Sequence, residues 1–140
     1  MTSNAMPSKD SISSILINLK ANDDVLLFIL VANDGTLNRL GTGADNSRTD
    51  MTIRKTPTDL FAQLKPLITE EMLQLAGRRL RAPVIAGDIC TLALGFRSAT
   101  GETITEFIYG SESMGPPEDV ARLVTTAVAL TDPWYIETMS

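Results

Sequence analysis

From Val25 to Ala32 the chain reads Val-Leu-Leu-Phe-Ile-Leu-Val-Ala and then runs into Asn33-Asp34-Gly35-Thr36. A stretch that does not alternate between polar and apolar positions predicts a strand covered on both faces and central to a sheet. Burying one such side chain is worth roughly 1.5 to 3 kcal/mol, so this stretch alone carries a gross stabilisation comparable with the net stability of a domain. Asp34-Gly35 suits the positive φ of a tight hairpin, so Thr36 to Gly41 is expected to return as the partner strand, with Asn38 and Arg39 on an exposed or edge face.

Upstream, Ile12, Ile15, Leu16 and Leu19 recur at i, i+3, i+4 and i+7 behind the capping candidates Ser8 to Ser11. That spacing predicts a short helix ending near Ala21-Asn22, with Asp23-Asp24 as a link into the strand. Downstream, Gly41 to Ser47 is too polar and glycine-rich for regular structure, and Met51 and Ile53 alternate with Thr52 and Arg54 as a third strand from about Thr49 to Lys55. Thr56-Pro57 suits a helix start, with Leu60, Phe61 and Leu64 inward and Pro66 interrupting. A second helix is expected from Thr69, with Glu70 and Glu71 favourable in its first turn, Met72 and Leu73 inward and Gly77 beyond its end. Arg78 to Pro83 is a basic connector.

Ile89 to Phe96 places Cys90, Leu92, Leu94 and Phe96 on one face and the smaller Thr91, Ala93 and Gly95 on the other. The large side predicts contact with a thick core, and the small side admits a close helix or another subunit. Ser98 to Glu102 turns the chain back into Thr103 to Tyr109 as a second hairpin, and Gly115-Pro116-Pro117 opens a helix carrying Val120, Leu123, Val124, Ala127, Val128 and Leu130 inward. Asp132-Pro133 is expected to end that helix, leaving Trp134 and Tyr135 in a terminal tail.

The predicted order is α-βββ-αα-ββ-α. It describes a single α+β domain with a mostly antiparallel sheet of about five strands, two hairpins plus the short third strand, packed with helices. The strand that is apolar on both faces calls for helices on both sides of the sheet, or for helices on one side and a second copy of the protein on the other.

Composition narrows the function classes. At 140 residues the chain suits one domain. Ser3-Asn4-Ala5-Met6 resembles an expression-vector remnant, so residues 1–7 are set aside as a disordered or vector-derived leader and 8–140 taken as the domain. No apolar run approaches the roughly 20 residues of a membrane span, and Met1 to Ile12 holds no signal-peptide core. With the single Cys90, this favours a cytoplasmic protein without disulfides. With 17 acidic against 12 basic residues, nucleic acid and anionic membrane are unfavourable partners and a basic protein surface is favourable. The sequence has no histidine, which removes the commonest general base and transition-metal ligand.

Candidate chemistry is correspondingly sparse. Arg78, Arg79 and Arg81 form the one basic cluster, suited to a small anionic ligand, although cations after a helix are also favoured by its dipole. Asp34, Asp45 and Asp50 offer oxygen ligands for a divalent metal, but their spacing fails the EF-hand pattern and turn chemistry explains them as well. Gly41-Thr42-Gly43 lacks the lysine and helix start of a phosphate loop. Glu102, Glu106 and Glu112 read as solvated strand charges, and Cys90 as an inert core thiol. Trp134 and Tyr135, as tail aromatics, are interface candidates. The expectation is a non-enzymatic protein-interaction or small-ligand-binding domain, homodimeric and without a cofactor; the alternative is a histidine-free, carboxylate- and metal-dependent hydrolase.

Overall fold

The segment Ile12–Ala21, whose spacing suits a helix, is a strand. Two patterns overlap in it, the helical set Ile12, Ile15, Leu16, Leu19 and the alternating set Ile15, Ile17, Leu19. Alternation prevails because the isoleucines are β-branched and because a strand here finds partners on both sides, whereas a helix this short is marginal without tertiary support. Asn22 and Asp23, with φ of 48° and 75°, form the tight turn that leads out of it, the positive-φ pair that matches strand twist.

The computed structural model describes residues 9–41, 52–56, 59–99 and 101–139, with the backbone alone at 52 and 134–139. Its strands are β1 (Ile12–Ala21), β2 (Asp24–Ala32), β3 (Thr36–Gly41), β4 (Thr52–Lys55), β5 (Arg79–Arg81), β6 (Ile89–Ser98) and β7 (Gly101–Gly110). Its helices are α1 (Leu60–Leu64) and α2 (Glu70–Gln74), between β4 and β5, and α3 (Glu118–Met139). The strands form one seven-stranded sheet in the order β4-β3-β2-β1-β6-β7-β5. The α+β class stands, but the sheet has seven strands rather than about five and is mixed, because β5 runs parallel to β7. The two additional strands are β1, expected as a helix, and β5, expected as a connector. The central position belongs to β1, and Val25 to Ala32 lies beside it in β2.

Helix ends follow their caps. Asp59 accepts from the Ala62 N–H at 2.9 Å and starts α1, later than the Thr56-Pro57 signal suggested. Thr69 caps α2 as expected, accepting from the Met72 N–H at 3.2 Å, and its hydroxyl donates to Asp119 at the start of α3. Pro133 does not end α3, which continues to Met139. A proline costs the helix its bond to the residue four earlier, here Ala129 on the exposed side of the helix. Trp134 and Tyr135 therefore belong to the last turns of a helix rather than to a tail.

One core joins the helices to one side of the sheet: Ile17, Ile29 and Leu94 from the strands meet Leu64, Met72 and Leu123 from the helices. Arg39 lies in this layer, not on an exposed face. The register Ile17, Ile29, Arg39 across β1, β2 and β3 turns it towards α3, and it is 1% exposed. Its Nε donates to the Gly41 carbonyl at 3.0 Å, and its Nη1 donates to Thr131 Oγ1 at 2.8 Å and Asp132 Oδ1 at 2.9 Å. A buried cation needs such pairing, and the result is a tie between β3 and the last third of α3.

Candidate functional site

Alternation along a strand assigns successive residues to opposite faces, so burying Ile15, Ile17 and Leu19 sends Leu16, Asn18 and Lys20 the other way. The pairings define two rows across this second face. One runs Ile53, Asn38, Leu30, Leu16, Gly95, Ile104, and the next runs Leu40, Phe28, Asn18, Ala93, Glu106, Arg79. Among the described residues the buried helix side chains all pack in the core on the opposite side. Leu16, Phe28, Leu30 and Leu40 are therefore only half-buried, and Ile53 and Ile104 at the flanks are 71% and 44% exposed. Among the described residues, the expectation that β2 is covered on both faces holds on the helix side alone.

This open face has relief. Leu16 on β1, Leu26, Phe28 and Leu30 on β2 and Leu40 on β3 make a ridge, and Thr91, Ala93 and Gly95 on β6 make a low strip beside it. A Cβ on Gly95 would stand 3.3 Å from the Leu16 Cβ and 3.6 Å from the Ile104 Cγ1, so the missing side chain keeps the strip low. Towards the β1–β2 turn the strip widens into a depression of about 460 Å³ between Asn18, Lys20, Thr91, Ala93, Glu106 and Arg79. Its cations Lys20 and Arg79 are matched by Asp23 and Glu106, with Arg79 Nε 3.6 Å from Glu106 Oε1. The side-chain oxygens of Asn18 and Asn38, both on this face, are buried without a hydrogen-bond partner among the described residues. Leaving such a group unmatched costs about 1–3 kcal/mol.

The predicted site residues are dispersed. Arg79 and Arg81 share one face of β5, but Arg79 borders the polar depression and Arg81 an apolar groove of about 600 Å³ beside Leu80, Pro83, Tyr109 and Met114, while Arg78 precedes the strand. The three do not converge on one point. Asp34 serves its turn: Oδ1 accepts from the Thr36 N–H at 2.9 Å and Oδ2 lies 3.0 Å from Lys55 Nζ. Thr36, and then Lys55, hold its carboxyl well below the usual carboxylate range. Asp45 and Asp50 lie outside the described residues, as do Thr42 and Gly43, and among the described residues no three His, Cys, Asp or Glu side chains gather as metal ligands. Gly41 ends β3 at φ 78°, where a Cβ would run into the Leu26 carbonyl. Glu102 and Glu112 are exposed. Cys90 is 7% exposed, and burial first, then Asp88, pushes its thiol up. The side chains of Trp134 and Tyr135 lie outside the described residues.

Sequence reasoning found the low strip on β6 but not the ridge. The signal for the ridge was the alternation of Ile15, Ile17 and Leu19, masked by the helical spacing that overlaps it. In comparisons with known proteins, no family model matches the chain, and no curated protein or solved structure is found to match it.

Proposed function

We propose that this chain is a non-enzymatic protein-interaction domain whose docking surface is the open face of its sheet. The observation that carries this is the patch of Leu40, Phe28, Leu30 and Leu16 over two neighbouring rows of adjacent strands, with no described helix over it. A one-sided antiparallel sheet normally turns polar residues to water, so contiguous large apolar side chains on that side favour a protein partner over solvent. The excess of acidic residues steers encounters away from nucleic acid and anionic membrane.

The test is the size of the chain in a gently prepared extract of its own cells, with and without Leu30→Asp. An assembly larger than the 15.1 kDa chain that shrinks to monomer size on substitution supports the reading. A parent chain already at monomer size, or an assembly indifferent to Leu30→Asp, removes it.

A further inference from the structure

We infer that the partner covering the open face is a second copy of the same chain, related by a two-fold axis that runs along β1 between the two sheets. It rests on the interaction-domain reading and names the partner. The central place of β1, with three strands on either side, means that this axis lays β2 of each copy over β6 of the other at the same height. At those heights Phe28 shares a row with Ala93 across Asn18, and Leu30 shares a row with Gly95 across Leu16. Phe28 and Leu30 of each copy therefore meet Ala93 and Gly95 of the other, twice over, so large faces small across β2 and β6, while Leu16 meets its own counterpart on the axis. An in-plane axis across the strands instead sets Phe28 against Phe28 and leaves the strips facing an empty gap. Sheets stacked face to face sit about 10 Å apart only when such side chains interdigitate.

One further observation points to the same axis. Asn18 lies on β1, hence beside the axis, and its oxygen is buried without a partner. Across the two-fold, each Asn18 Nδ2 donates to the other copy's Oδ1, a reciprocal amide pair that satisfies both and fixes the register, as single buried polar residues do in helical dimers. Further out the match is looser: β3 of each copy lies over β7 of the other, so Leu40 comes over Glu106 and Asn38 over Ile104. Lys20 falls near the axis as well, but at the turn end, where Asp23 lines the same depression. The middle strands present a footprint of roughly 600 Å² per copy, at the low end of what specific dimers bury.

The experiment is sedimentation equilibrium and native mass on the purified full chain, its single variants Phe28→Ala and Ala93→Phe, and the double exchange. The parent is expected to dimerise, each single variant to weaken the dimer about ten-fold or more, and the double exchange to return to within a few-fold of the parent. Positions 28 and 93 are separated by Asn18 within one chain, so restoration reports contact between copies. Asn18→Asp gives an independent readout that misfolding would not imitate: dissociation at neutral pH, where two carboxylates meet, and recovery near about pH 4, where they share a proton. A monomeric parent, a dimer indifferent to both single variants, a double exchange no better than either single, or an Asn18→Asp dimer without that pH dependence overturns the inference. A monomeric purified chain that still runs in a larger, Leu30-dependent assembly in the extract rejects self-pairing alone; monomer size in both rejects the interaction reading too.

Discussion

The two faces of β1 differ in what lies over them, not in how apolar they are. Ile15 and Ile17 turn towards α1, α2 and α3 and are 1% and 0% exposed, whereas Leu16 between them stays half-buried on the open side. The faces also treat polarity differently. On the helix side the Arg39 cation is matched by Gly41, Thr131 and Asp132, and one hydroxyl, Thr103 Oγ1, is buried without a partner among the described residues. On the open side it is the Asn18 and Asn38 amide oxygens that are. The helix-side layer pairs its buried charge within the chain, whereas the open layer sets unmatched amide oxygens beside large apolar groups.

The largest effect that would test this contrast is at Arg39. Arg39→Ala is expected to cost about 3–5 kcal/mol in urea unfolding, because it opens space in the core and leaves Thr131 and Asp132 without their donor, whereas Arg39→Met, of similar length, recovers much of that loss. If Arg39→Ala is nearly silent, the tie between β3 and α3 is not what closes the helix side.

Next comes the neighbouring pair on β1. Ile17→Ala is expected to cost about 2–5 kcal/mol, and Leu16→Ala less than about 1 kcal/mol when unfolding is followed at protein concentrations low enough to keep the chain monomeric. Equal losses at the two positions would show that the open face is covered from within the chain.

Smaller effects mark the rims. Asp34 has a folded pKa below its unfolded value, so its stabilising contribution is present above the ordinary carboxylate pKa of about 3.9 and is lost as pH falls below it. Asp34→Asn is therefore expected to flatten the acid side of the stability profile below about pH 4, measured by thermal unfolding. At Cys90, burial and Asp88 both raise the thiol pKa, so alkylation at about pH 8 is expected to run many-fold slower than for an unfolded chain and to accelerate only with unfolding. Rapid alkylation of the native chain would mean that the β1–β6 end of the core opens readily.

Several elements were legible because their signals are local. Thr36 to Gly41 returns as β3 with the expected bounds, Thr69 caps α2, and β6 separates large from small residues as its alternation implies. Other features were not. Ile12 to Ala21 satisfies two periodicities, and only the pairing of β1 with residues 24–32 and 90–98 decides between them. Arg39 has the type of a surface residue, and its burial follows from the register of β3 together with the passage of α3 above it. Arg79 to Arg81 is too short to announce a strand, and it becomes one because β7 offers an unpaired edge. The basic cluster expected as an anion site is divided between two depressions for the same reason: residues adjacent in sequence meet different neighbours.

The order of residues alone determined that this chain has an apolar hairpin, a strand with one large and one small side, capped short helices and no histidine. Those properties depend on single residues and on spacings of a few positions, which the chain carries wherever it goes. Tertiary structure alone decided that β1 is the middle strand, that Arg39 is a core residue and that the helices gather on one side. Strand pairing and helix return are set by contacts between residues tens of positions apart, and the apolar face left open follows from where those contacts end.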